Sequence, residues 1–254
     1  MNQTQVQAYL KRINYQGNIG ATLKTLSQLQ YSHLLSVPFE NLDIHTNRVI
    51  ELNTSRFYEK VVQNNRGGFC YELNGLYNEL LLSLGFKTKM ISARVYSDSK
   101  GYYNPEFDHL AIIVQIDEHA YLTDVGFGEF AFSPVLLDLD ATHEDERGTF
   151  KFTKEGEDLW VISKKVEQRW VPEYRFALKE RQLSDFNERC FFQQTSPESH
   201  FTQNRICSIP LQNGRKTISG NMLTIKQDSE SQEIEIGNDL EFNEILVEHF
   251  GMEL

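Results

Sequence analysis

The apolar residues of this chain change period at Gly85, and that change limits the folds open to it. Before it, Leu73, Leu76, Tyr77, Leu80, Leu81 and Leu84 recur at helical spacing, and Gly85 is placed to close the helix. From Lys87 the apolar runs become short, β-branched and aromatic, with Gly, Asp and Asn between them. Strands are expected over residues 87–96, 110–116, 120–125, 149–153, 159–163 and 166–171. A second set is expected at 205–210, 216–218, 222–226 and 233–236, with mixed structure over 172–200. Upstream, helices are expected at 5–13 and 22–34, the latter stopped by Pro38, and another starts at the N-cap residue Ser55. A closing helix covers 240–250. The pattern predicts an α+β protein with a helical segment at 1–85, an antiparallel β-rich segment at 86–195 and a C-terminal α/β region at 196–254.

With 254 residues, 40% of them apolar and 12% aromatic, such a chain buries a core and is not disordered. The formal charge of −11 argues against nucleic-acid binding, which needs clustered Lys and Arg. Most of that charge lies after Lys226, where there are nine acidic residues and no Lys or Arg. Glu241, Glu244 and Glu248 read as a solvated helix face, opposite a stripe of Leu240, Phe242, Ile245, Leu246, His249 and Phe250. The N-terminus lacks the apolar core of a signal peptide, and no run approaches a membrane span, so a soluble cytoplasmic protein is expected. Cys70, Cys190 and Cys207 are an odd count without framework spacing, which implies reduced thiols.

The chain contains no CxxC, HExxH, GxxxxGK[ST], GxSxG or complete GxGxxG, and no metal site is expected. What remains is a thiol. Cys70 follows Arg66-Gly67-Gly68-Phe69 at the start of the Leu-rich helix, where free N–H groups and the helix dipole favour an anion. The glycines permit close backbone approach and are candidate oxyanion donors. His109 opens one β-run and Asp124 closes another. A hairpin with a two-residue turn at Asp117-Glu118 places Asp124 opposite Ala111 and diagonal to His109; a loop one residue longer turns the two side chains to opposite faces. In the favourable register Asp124 orients His109, and His109 takes the proton of Cys70. Taken singly, each residue has an ordinary structural role: Cys70 as a small core residue, His109 as a bonded strand-end histidine, Asp124 as the start of a turn.

Val37-Pro38-Phe39-Glu40-Asn41-Leu42, Arg66-Gly67-Gly68-Phe69-Cys70-Tyr71-Glu72-Leu73-Asn74, His109 and Thr123-Asp124-Val125-Gly126-Phe127-Gly128 together resemble the arylamine N-acetyltransferases. Thr195-Ser196-Pro197, Phe201-Thr202 and Gly214-Arg215 extend the resemblance over nearly the whole chain. The resemblance implies a cysteine-protease-like core and acetyl transfer from acetyl-coenzyme A to small aromatic amines, hydrazines or hydroxylamines through an acetyl-cysteine. It makes Cys70 the nucleophile, His109 the base and Asp124 its partner. Phe39 and Phe127 match positions lining the acceptor pocket, Gly126 and Gly128 match the turn beside the donor cleft, and Glu40 and Arg66 match a structural ion pair. Two other readings stay open: a thiol amide hydrolase of related fold, and a binding protein that keeps the fold without the chemistry. Residues 201–226 hold Arg205, Arg215, Lys216 and Lys226 without an acidic residue, a candidate for meeting the coenzyme phosphates. Cys190 and Cys207 read as core or partly exposed thiols, Trp160 and Trp170 as core residues, His33 as part of an apolar helical face, and His119 and His143 as turn residues.

Overall fold

Asn2 starts the first helix, α1 (Gln3–Arg12), through a reciprocal cap: its side chain accepts the Gln5 N–H while the Gln5 side chain accepts its own N–H. Helix α2 (Leu23–Ser36) follows the Thr22 cap and stops at Val37, as Pro38 requires. Next come the two-residue strand β1 (Phe39–Glu40), α3 (Leu42–His45), α4 (Thr54–Tyr58) with a π-helical turn at Glu59–Gln63, and α5 (Cys70–Ser83). The cap of α4 is Asn53 rather than Ser55. Its side chain accepts the N–H groups of Ser55 and Arg56, so the better acceptor two residues upstream takes the role. The computed structural model describes residues 1–254.

The β-rich stretch contains β2 (Lys87–Ser97), β3 (Tyr102–Tyr103), β4 (His109–Ile116), β5 (His119–Thr123), β6 (Val135–Leu136), β7 (Thr142–Asp145), β8 (Gly148–Glu155), β9 (Leu159–Val166) and β10 (Arg169–Ala177). All pairings are antiparallel, in the order β6-β5-β4-β2-β10-β9-β8-β7, with β3 on β2. The run at 166–171 is not one strand: Glu167, at φ 53°, turns the chain there, and Arg169 pairs back with Val166. His143 lies in β7 instead of a turn. That edge strand, Thr-His-Glu-Asp, has no apolar side, so its pairing with β8 leaves no hydrophobic period to read.

After α6 (Asn187–Thr195) and α7 (His200–Gln203), strands β11 (Ile206–Leu211), β12 (Gly214–Ser219), β13 (Met222–Gln227) and β14 (Glu230–Glu235) form a second antiparallel sheet, and α8 (Asp239–Phe250) closes the chain. Its other edge is β1, so residues 39–40 cross from the helical segment to pair with β11. Glu230, Glu233 and Glu235 leave β14 exposed and charged, which guards that edge against pairing with another chain. On α8, Phe242, Leu246 and Phe250 are buried, but Leu240 is 70% exposed and leaves the expected stripe. No helix is long and apolar enough to cross a membrane.

Strand β4 is buried on both faces. Leu110, Ile112 and Val114 pack with α1, α2 and α5, while Ala111 and Ile113 join Phe150, Phe152, Ile162, Tyr174 and Phe176 on the other side. The tryptophans sit at the margin of this second core: Trp160 packs edge-on against Phe152, and the Lys151 ammonium lies 4.3 Å from the Trp170 ring centre. A third core joins Cys207, Ile209, Ile218 and Leu223 to α8. His109 therefore starts on the strand where helices and sheet meet. Leu246→Ala should lower unfolding free energy by about 2–5 kcal/mol, whereas exposed Val247→Ala on the next residue should stay within about 0.5 kcal/mol; urea unfolding of the two variants checks this.

Candidate active site

The segment leading to Cys70 is held by charge and by missing side chains. A Cβ on Gly67 would collide with the Pro38 carbonyl, and one on Gly68 would sit 2.9 Å from Glu72 Cβ. Beneath them the Arg66 guanidinium donates to Glu40 Oε1 through Nε at 3.1 Å and a terminal nitrogen at 2.7 Å, and reaches Asp43 at 3.0 Å. Lys60, carried inward by the π-helical turn, meets Asp43 at 2.8 Å, Glu72 at 2.9 Å and Glu40 at 3.4 Å. Burial opposes the Lys60 ammonium, yet Glu40, Glu72 and Asp43 together hold its pKa above the ordinary value. The Glu40–Arg66 pair expected from sequence is thus part of a five-residue cluster. Glu72 carries it to the helix start by accepting the Phe69 N–H at 3.0 Å.

Cys70 is the first residue of α5 and is 4% exposed. The Gly68 N–H is turned to the Pro38 carbonyl at 3.4 Å and the Phe69 N–H to Glu72, so neither is an available oxyanion donor. The amides of Cys70 and Tyr71 are the ones left free at the helix start. Burial pushes the Cys70 thiol well above its usual pKa, and the charges of Asp108 and Asp124 push the same way, against a hydrogen bond from the Leu110 backbone. Burial and these charges thus oppose the thiolate that the helix start favours.

The β4–β5 hairpin brings His109 and Asp124 together. Ile112 pairs with Thr123 and Ile116 with His119 across the two-residue turn, which sets Asp124 opposite Ala111. In this register His109 Nε2 lies 2.6 Å from Asp124 Oδ2. That contact leaves Nδ1 as the ring nitrogen not engaged by the carboxylate. Phe107, just upstream, is at φ 67°, a strained conformation for an aromatic residue. It is held there by the Tyr71 hydroxyl on its carbonyl at 2.7 Å and by Phe186, 5.2 Å away. Asp108 is tied off by Arg189 at 2.5 Å, Gln193 at 2.8 Å and Asn104 at 2.8 Å.

Asp124 is fully buried and receives three further donors: Asn74 Nδ2 at 2.8 Å, the Gly126 N–H at 2.9 Å and the Tyr174 hydroxyl at 2.9 Å. Asn74 also donates to the Leu110 carbonyl at 2.7 Å and accepts the Val125 N–H at 2.9 Å, so one amide joins the Cys70 helix to both hairpin strands. Asn74 and Tyr174 were not among the residues singled out from sequence. Asn74 lies one turn after Cys70, on the same helix face, which was the available signal. Tyr174 is 50 residues from Asp124 and leaves no local signal.

Gly126 and Gly128 differ. Gly126 is buried against Cys70, where a Cβ would sit 2.9 Å from both Cys70 Cα and Asn74 Nδ2; Gly128 is exposed with open space around it. Phe127 packs edge-on to His109 at 5.2 Å and to Tyr174 at 5.1 Å. Phe39 lies in a separate group, 6.0 Å from Phe201, which in turn is 5.9 Å from Phe69. The basic stretch divides: Arg205 pairs with Asp239 and stacks on Phe242, Lys216 turns to the His249 carbonyl, and Arg215 and Lys226 face the Gly128 side. No group of three or more His, Cys, Asp or Glu side chains is arranged to hold a metal ion. Gly126→Ala should drive Cys70 and Asp124 apart and slow Cys70 alkylation by iodoacetamide at least about tenfold, while Gly128→Ala leaves it within twofold; alkylation rates at neutral pH read both.

Known proteins resemble this chain along nearly its whole length. A family model described as N-acetyltransferase matches residues 22–254. The pineal gland isozyme arylamine N-acetyltransferase of Gallus gallus is 31% identical, over 98% of this chain and 94% of its own length. The solved arylamine N-acetyltransferase of Salmonella typhimurium superposes with a TM-score of 0.92 at 26% identity, covering 99% of this chain and 92% of that one. The Mycobacterium marinum enzyme, solved in complex with CoA, gives a TM-score of 0.87 at 27% identity over 97% and 92%. Matched along almost its whole length in sequence and in fold, the chain belongs to the arylamine N-acetyltransferase family.

Proposed function

We propose that this protein transfers an acetyl group from acetyl-coenzyme A to the nitrogen of an arylamine or arylhydrazine, or to the oxygen of an arylhydroxylamine, with Cys70 carrying the acetyl group between them. The observation that carries the reading is the 2.6 Å His109–Asp124 contact beside the first residue of α5. His109 Nδ1 accepts the Cys70 proton, and Asp124 stabilises the imidazolium that results. The thiolate attacks the thioester carbonyl, and the amides of Cys70 and Tyr71, without backbone partners, are assigned to the developing oxyanion. As the carbon–sulfur bond to the coenzyme breaks, the imidazolium returns its proton to the leaving thiolate. The acceptor amine then attacks the acetyl-cysteine, loses a proton to His109, and releases Cys70. The first transfer exchanges one thioester for another and is nearly balanced; forming an amide makes the second favourable.

The division of labour follows the chain. Residues 1–85 bring the nucleophile, 86–195 bring histidine and aspartate, and 196–254 close the site from the far side of β1. Phe39, beside Phe201, and Phe127, beside His109, are assigned to the aromatic acceptor, where apolar rings keep water from an acetyl-enzyme. Gly126 and Gly128 are assigned to the donor side of the turn, and the relative solved with CoA supports a coenzyme donor. Three unpaired thiols fit a reducing compartment such as the cytoplasm. Mixing the protein with acetyl-coenzyme A should add one acetyl group to Cys70 by intact mass, with stoichiometric release of free thiol, and Cys70→Ala should abolish both. Peptide or amide turnover without an acetyl adduct would favour a hydrolase instead.

A further inference from the structure

Asp108 stands between Phe107, held at φ 67°, and His109, the first residue of β4. Its side chain is only 6% exposed. Oδ1 accepts Arg189 Nε at 3.1 Å, an Arg189 terminal nitrogen at 2.5 Å and Gln193 Nε2 at 2.8 Å, while Oδ2 accepts Asn104 Nδ2 at 2.8 Å. Arg189 and Gln193 lie four residues apart, so one face of α6 grips the carboxylate. Cys190 and Gln193 are the buried residues of that helix, and polar contacts rather than a broad apolar face hold it. Gln194 exchanges hydrogen bonds with Ile50 at 2.9 and 3.0 Å, and Gln193 accepts the Ser199 hydroxyl at 2.8 Å. The Arg189 guanidinium itself lies 4.4 Å from the Phe192 ring centre.

This clamped segment runs beside Cys70. The hydroxyl of Tyr71, the next residue, donates to the Phe107 carbonyl at 2.7 Å and approaches the Asp108 carbonyl at 3.5 Å, and the Leu110 backbone bonds Cys70. Asp108 therefore brings a second negative charge to the thiol, besides Asp124, and both raise its pKa. The other titratable groups around the thiol are Tyr71 and Glu72 of α5, Cys190 of α6, His109 of β4 and Tyr174 of β10, which donates to Asp124. Lys60 and Arg66 are engaged by Glu40, Asp43 and Glu72. Arg189 is the cation paired with Asp108, and its charge lowers the pKa of the neighbouring Tyr71 hydroxyl. With Cys70 as thiolate and His109 as imidazolium, the two aspartates and Arg189 leave one net negative charge; without Arg189 there are two.

We infer that Arg189 is a positioning residue that acts through Asp108, anchoring the turn that delivers His109 to β4 and cancelling a negative charge beside Cys70. The role rests on the acetyl-transfer reading, in which Cys70 becomes a thiolate beside His109. A guanidinium supplies paired donors in fixed geometry together with its charge, whereas an ammonium supplies the charge without the fork.

Iodoacetamide alkylation of Cys70, read by peptide mass across a pH series, tests this without any acetyl donor. At neutral pH Arg189→Gln should slow alkylation about tenfold and move its rise to higher pH, because the Asp108 charge is left uncompensated. Asp108→Asn should move the rise to lower pH, and the double variant should return to within about threefold of the wild type. Arg189→Lys, which keeps the charge, should keep the wild-type profile. Thermal unfolding of each variant verifies that it is folded. A double variant as slow as Arg189→Gln would reduce the role to packing and overturn it, as would an Arg189→Gln profile that superimposes on that of the wild type. The burst of free coenzyme A on mixing with acetyl-coenzyme A should follow the same order among the variants. Alkylation in the expected order, with no acetyl adduct on wild-type Cys70, defeats the acetyl-transfer reading and leaves the effect of Arg189 on the thiol standing.

Discussion

Asp124 receives hydrogen bonds from Asn74 of α5, His109 of β4, Tyr174 of β10 and the amide of Gly126 in its own turn. A carboxylate accepts and does not donate, so all four contacts are satisfied together only when the helix, the hairpin and the far strand of the sheet are in place. Removing a partner of a fully buried carboxylate leaves it short of a donor, at about 1–3 kcal/mol or more. The same contacts that fix Asp124 also fix the ring of His109 and the distance from α5 to the hairpin. Catalytic geometry and the packing of two cores are therefore one constraint.

Electrostatics around the nucleophile point the same way. Its burial and two neighbouring aspartates raise the Cys70 thiol, and a hydrogen bond from the Leu110 backbone lowers it only in part. The ionic cluster of Glu40, Asp43, Lys60, Arg66 and Glu72 has another role. It sits under the Gly67–Gly68 segment and locks the chain that delivers Cys70, through Glu72 on the Phe69 amide.

The local parts of this structure were legible in the sequence. The period of Leu73 to Leu84 gives α5, and the two-residue turn at Asp117-Glu118 gives the register on which His109 and Asp124 depend, because a β-strand has only two faces. What escaped was set by distance along the chain or by lack of apolar contrast. Tyr174 reaches Asp124 only because β10 pairs with β2, and Lys60 reaches Asp43 and Glu72 only because a π-helical turn rotates it inward. The polar edge strand β7 has no buried side to mark it. The acidic tail was partly misread: Leu240 faces solvent, and the exposed charge is shared between α8 and the edge strand β14. The basic stretch at 201–226 proved to be two surfaces, one occupied by α8 and one facing the cleft beside Gly128.

The central claim is that Cys70 becomes nucleophilic through His109 as oriented by Asp124, and not through the helix start alone. The most direct measurement is the rate of Cys70 alkylation by iodoacetamide against pH, in the wild type and in Asp124→Asn. The wild type should stay reactive through the neutral range, because the imidazole holds the thiol proton. In Asp124→Asn the reactivity should move to high pH, following a buried thiol whose pKa is raised. Superimposable profiles for the two proteins would contradict the account.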